Sequence, residues 1–184
     1  LSGDAINGVS SVSRSGYVVA LGGNGTILAV ADPGAAIVRL FDKDGAKWMQ
    51  RGPSIQGRSG SHFGSAISLS SNESNNITHN PHTSPTVISA VGAPKIGLVR
   101  VFTCSTDECI QKGDDIRGSG RFGNGISVDG DNIAIGGAAR ETVSERIVTN
   151  GEVKVLTWSN NKWEERGTVN FTTSSRKLSD SPDQ

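Results

Sequence analysis

The sequence predicts an all-β chain made of about three copies of one four-stranded antiparallel unit. Twenty-four glycines against 5% aromatic residues in 184 positions imply many turns and few bulky packing groups. No window carries apolar residues at helical spacing for three turns, whereas alternation over four to six residues bounded by Gly, Asn, Asp and Ser recurs throughout. The same order of signals is then written three times in register.

Each copy opens on a pair of residues, Ser15-Gly16, Phe63-Gly64 and Phe122-Gly123. A first strand follows over 19–22, 66–70 and 125–128, and then hairpin chemistry such as Gly22-Gly23-Asn24-Gly25 and Asp129-Gly130-Asp131-Asn132, whose residues tolerate positive φ. Second strands cover 27–31, 87–92 and 133–136, and small residues or prolines end them. Third strands centre on a cation, Arg39 in 37–41, Arg100 in 98–102 and Lys154 in 152–156. Seven residues beyond Phe41, Phe102 and Leu156 stand Trp48, Cys109 and Trp163, and Gly52, Gly113 and Gly167 follow at a fixed offset. The phrase G-x-x-I-x-G then begins at Gly3, Gly52 and Gly113. Its first glycines, with Gly167, mark repeats of 49, 61 and 54 residues, the period of one propeller blade. The expected repeats are 3–51, 52–112 and 113–166, inside a segment spanning 1–171.

The copies differ in their loops, where repeat proteins vary. Residues 72–86 lengthen the first hairpin of the second copy with a polar stretch, and a charged insertion, 140–149, separates second and third strands of the last. The Ser-rich tail 172–184 has little to bury and is expected to lack fixed structure.

Eighteen basic and eighteen acidic residues cancel, so no positive excess argues for nucleic acid or an anionic membrane. No apolar run reaches the length of a membrane-spanning helix, and the start at Leu1 fits a processed or excerpted product. Asn24, Asn72, Asn76 and Asn170 each head an N-x-Ser/Thr triplet, placed by this reading in turns or loops, where glycans attach. Cys104 and Cys109 flank the turn between third and fourth strands, within disulfide reach of one another across a hairpin. Cys109 stands where the other copies carry Trp, so the expectation is a covalent link in place of an aromatic plug, the alternative being two reduced thiols in a loop. Both signals point to an extracellular or cell-surface setting.

The stretches Phe63-Gly64-Ser65-Ala66-Ile67-Ser68-Leu69-Ser70, Ala90-Val91-Gly92-Ala93-Pro94 and Gly97-Leu98-Val99-Arg100-Val101-Phe102, with Trp-x-x-x-Gly in the flanking copies, resemble the FG-GAP-type β-propeller repeat. That repeat occurs in bacterial and microalgal surface proteins and, more distantly, in integrin α-subunit heads. The resemblance covers residues 3 to about 167; the first copy departs with Ser15-Gly16 for FG, and the third with Gly136-Gly137-Ala138 for GAP. It implies twisted four-stranded blades closing into a ring, which three cannot do. The expectations are, in order, a segment of a longer propeller, a ring completed by partner subunits, and an open stack with covered ends.

Integrin-like repeats hold calcium in a D-x-D/N-x-D-G-x-x-D loop, but the turns at 21–26 and 128–133 carry too few carboxylates for such a site. Residues 41–48 resemble the Asp-box of sialidase-type propellers; Asp44 and Gly45 are adjacent, where that box separates them, and a D-G turn suffices. His79 and His82 fall in a polar loop without the alignment zinc requires, and His62 reads as a packing or capping residue. Arg39, Arg100 and Lys154 would form an arc able to bind an anionic ligand, or would pair with acids of adjacent blades.

No metal site, cofactor or catalytic constellation is expected. The function expected is a non-enzymatic scaffold for adhesion, matrix or protein and glycan binding; the alternatives are a subdomain of a polysaccharide-active enzyme and an accessory subunit that adds strands at its open edges.

Overall fold

The computed structural model describes residues 5–11, 13–71, 86–143 and 146–176, and these fold as three antiparallel sheets. The first holds β1 (Val19–Gly22), β2 (Ile27–Asp32), β3 (Ile37–Asp44) and β4 (Lys47–Gln56) in sequence order. The second orders β5 (Ala66–Ser71), β6 (Val87–Ala93), β7 (Leu98–Cys104) and β8 (Cys109–Gln111), with β9 (Ile116–Arg117) also on β7. The third comprises β10 (Gly125–Asp129), β11 (Asn132–Val143), β12 (Arg146–Ser159) and β13 (Lys162–Arg176).

The repeat survives as register. Phe41 faces Gln50, Phe102 faces Gln111 and Leu156 faces Glu165. Near the marker glycines every outer strand breaks step: the ladder slips between Val38 and Leu40, splits into β8 and β9 around Gly113, and slips between Val155 and Leu156. Gly52 and Gly113 have φ of +57° and +78°, a conformation in which a side chain is strained.

Two expectations change at the third sheet. The insertion at 140–149 is no separate loop, because β11 runs on to Val143 and pairs with β12 from Arg146. Residues 172–176 of the expected tail belong to β13 and pair with 146–150. Once one strand is extended its neighbours gain a hydrogen-bonding template, whatever their polarity.

Side-chain alternation sends the second sheet's two faces to different neighbours. Ala29, Ala31, Val38, Leu40 and Ile55 of the first sheet meet Phe63, Val91, Ala93, Leu98 and Phe102 of the second in one core. The opposite face of the second sheet, with Ile88, Ala90, Val99, Val101 and Ile116, meets Phe122, Val128, Ile133, Ile135 and Leu156. Phe63 and Phe122 are fully buried, one at each junction. A Cβ added to Gly57 would strike the Phe63 ring, and one on Gly118 the Phe122 ring, so the last glycine of G-x-x-I-x-G is the cradle of the following aromatic.

The glycine after each aromatic is equally constrained. Gly16, Gly64 and Gly123 have φ of +79°, +93° and +89°. A Cβ on Gly64 would lie 3.1 Å from Ala31 Cβ and 3.3 Å from Val38 Cγ2; one on Gly123 would lie 2.8 Å from Val99 Cγ2. Val38 and Val99 occupy one register position, so each FG pair seats on the same spot of the preceding sheet. First strands also adjoin, with β5 touching both β1 and β10. The hydroxyls of Ser68 and Ser70 on β5 accept hydrogen bonds from the N–H groups of Val128 (3.0 Å) and Gly130 (2.9 Å).

Candidate functional site

The chain enters each first strand through the same backbone turn. Tyr17 N–H donates to the Arg14 carbonyl (3.1 Å), Ser65 N–H to that of His62 (3.1 Å) and Asn124 N–H to that of Arg121 (3.1 Å). The residue accepting that bond, immediately before the Ser-Gly or Phe-Gly pair, is therefore basic in all three copies. Its position is fixed from below: Gly16 N–H donates to Ala31 O (3.0 Å) and Gly64 N–H to Gly92 O (2.9 Å). In the third copy a Cβ on Gly137 would strike the Arg121 carbonyl, so Gly137 lets this turn close onto β11.

Arg14, His62 and Arg121 line one cavity of about 480 Å³, together with Tyr17, Pro33 and Ser65. An adjoining hollow of about 250 Å³ shares His62 and Arg121 and adds Lys95. The four basic side chains are exposed, and among the described residues none has an ion-pair or side-chain hydrogen-bond partner and no carboxylate lines either cavity. Arg14 and His62 hold φ of +55° and +59°, which costs free energy in a non-glycine residue and marks positions held by their surroundings. His62 is thus an exposed wall of a basic cleft rather than a packed or capping residue.

The cations singled out from the sequence are placed differently. Arg39 meets Asp32 at 3.2 Å, Arg100 meets Asp115 at 2.7 Å and Lys154 meets Glu152 at 3.1 Å. Asp32 and Glu152 lie in strands of the cation's own sheet and Asp115 in the segment joining β8 to β9, so the three do not form an arc of unanswered charge. The hydrogen bond from Arg100, opposed by burial, holds the Asp115 carboxyl below its ordinary value. For Glu152 burial pushes upward, but the Ser119 N–H and Lys154 outweigh it and the carboxyl sits below its ordinary value.

Cys104 and Cys109 form a disulfide at a facing pair of β7 and β8. That pair occupies the register of Lys43 and Trp48 in the first sheet and of Trp158 and Trp163 in the third. Asn24 is exposed in a turn, whereas Asn170 lies in β13, an edge strand rather than a loop. Asn72, Asn76, His79 and His82 lie outside the described residues. Among the described residues no three His, Cys, Asp or Glu side chains gather as metal ligands, and no helix is long and apolar enough to cross a membrane.

No family model, curated protein or solved structure matches the chain.

The basic residue ahead of each Ser-Gly or Phe-Gly pair was in plain view in Arg14-Ser15-Gly16, His62-Phe63-Gly64 and Arg121-Phe122-Gly123. An alignment started at the pair passes over it. The signal that finds it is charge compared position by position one residue upstream of the repeat.

Proposed function

We propose that this chain is a non-enzymatic extracellular scaffold, a segment of an FG-GAP-type β-propeller that serves adhesion, matrix or protein and glycan binding through its turns. Three like sheets with adjoining first strands, each FG pair seated on the sheet before it, support the propeller reading. The disulfide fits an oxidising compartment.

One observation carries most weight. Val153, Val155 and Val169 of the third sheet hold the register places that Val38, Leu40 and Ile55 fill at the first junction, yet Val155 is 42% and Val169 64% exposed. At the other end Val19 and Leu21, which correspond to Ile67 and Leu69 of the second sheet, are 59% and 63% exposed. Each end bears half of the contact that the interior junctions complete. The partner it fits is a further sheet of the same kind, contributed by flanking repeats or by another subunit.

Sedimentation across a concentration series tests this. Association that Val169→Lys weakens, without release of fragments from any polysaccharide, supports the scaffold; a monomer whose melting temperature Val169→Lys leaves unchanged, and to which added like sheets do not bind, overturns it. Release of sugar fragments moves the assignment to the polysaccharide-active alternative.

A further inference from the structure

We propose that the cleft walled by Arg14, His62 and Arg121 is a binding site for an acidic oligosaccharide, one whose sulfate or carboxylate groups are spaced along a chain of sugar rings. This rests on the reading of the molecule as a binding scaffold and names the ligand chemistry of its turn face. Two arginines and a histidine at equivalent repeat positions around one cavity of about 480 Å³, with Lys95 in the adjoining hollow, form a locally basic surface on a chain whose net charge is zero. Charges of one sign gathered in a concave surface raise the local concentration of the opposite ion. The cations packed against the sheets, Arg39, Arg51, Arg100, Lys112 and Lys154, are each answered by a carboxylate. In the cleft, among the described residues, no carboxylate stands among the basic side chains to do the same.

The chemistry of the walls narrows the ligand. Two guanidinium groups offer planar forks that bind oxyanions in bidentate fashion. They enter from different sheets, so a single small anion is a poorer fit than a chain bearing at least two acidic groups. Tyr17, 63% exposed on the same wall, supplies an apolar ring face with a hydroxyl at its rim, suited to a sugar ring lying between the charges. A nucleic acid requires a run of aromatic platforms along a basic groove, and Tyr17 is the single aromatic among the described residues of the cleft.

The test titrates the intact chain with three hexasaccharides of equal length, one sulfated, one bearing only uronate carboxylates, one neutral, and with a single-stranded DNA oligonucleotide of matched charge. At least one acidic sugar is expected to bind about tenfold or more tightly than the neutral one, with affinity falling as salt rises; which acidic sugar wins separates sulfate from carboxylate recognition. Arg14→Ala with Arg121→Ala, both exposed and away from the cores, is expected to lose about tenfold in affinity with an unchanged melting temperature, while Lys43→Ala binds as before. Equal binding of neutral and acidic sugars, tighter binding of the DNA, or full affinity in the double variant would each overturn the proposal. Absence of binding without turnover defeats the ligand assignment alone; turnover of the bound sugar defeats the non-enzymatic reading while leaving the anion site standing.

Discussion

The two junctions between sheets solve one packing problem with different chemistry. At both, a phenylalanine from the entering turn fills the core and a cation just before the marker glycine reaches forward to the next sheet's cross-strand pair. At the first junction the cation is Arg51, its side chain fully buried; it donates through Nε to Asp42 (2.9 Å) and through Nη1 to the Cys104 carbonyl (3.4 Å) beside the disulfide. At the second it is Lys112, which stands 5.1 Å over Trp158 and 5.6 Å over Trp163 and bonds Asp131 at 2.7 Å. Trp163 Nε1–H returns a hydrogen bond to the Lys112 carbonyl (2.8 Å). The first junction is thus fastened by a buried guanidinium that reaches the carbonyl beside the second sheet's own disulfide, the second by aromatic rings under a mostly buried ammonium. The Phe-Gly plug is the constant element and the outer fastening is interchangeable.

That contrast breaks hardest at the plugs. Phe63→Ala and Phe122→Ala should each cost about 3–5 kcal/mol in denaturant unfolding. Phe63 should stand at the upper end because its ring also meets Phe102 edge-on at 6.3 Å. A loss under 1 kcal/mol at either site would mean that the junction is not held by its plug.

The fastenings come next. Cys104→Ser with Cys109→Ser opens a short loop, the cysteines being five residues apart in sequence, and should lower stability by about 2 kcal/mol. Lys112→Ala should lower it by about 1 kcal/mol, since its contacts are cation–π and a solvent-facing ion pair. Reductant should reproduce the first loss in the parent chain and leave the Lys112→Ala increment unchanged, because the two act at different junctions.

Acid should separate the junctions by a smaller effect. Glu152 accepts from the Ser119 N–H (2.6 Å) and hydroxyl (3.0 Å), which ties down the turn that delivers Phe122; Ile37 and Leu98 hold its place in the other sheets. Its carboxyl titrates below the ordinary 4.5 in the folded chain, so the stability it contributes is complete above that value and is lost as pH falls through the lower folded value. Asp115, held below 3.8 by Arg100, acts in the same direction. Melting temperature should therefore fall below about pH 4.5, and Glu152→Gln should flatten that fall while leaving the effect of Asp115.

Much of this plan was legible in the residues because it rests on local rules. Gly16, Gly64 and Gly123 mark positive φ, the seven-residue step to Trp48, Cys109 and Trp163 marks a cross-strand pair, and both recur at fixed offsets. What failed to show depends on long-range pairing. Residues 140–149 are charged and read as loop, yet they extend a hairpin whose partner strand is the following segment. Asp32, Asp115 and Glu152 stand at unlike offsets from Arg39, Arg100 and Lys154, so no spacing announced that those charges were already met. The basic cleft was missed for the opposite reason, since Arg14, His62 and Arg121 share an offset, but they converge only when three turns meet in space.

The cradle beneath each aromatic sets the order in which these repeats can diverge. At Gly57 and Gly118 a single added methyl collides with a ring, so neither glycine can mutate while its phenylalanine remains. Even where serine has replaced the ring, a methyl on Gly8 would come within 2.9 Å of Ser15 Cβ. Among descendants of one ancestral unit the bulky partner is then the one that drifts and the glycine is the fossil. Tracing further members of such a lineage should begin from the smaller residue.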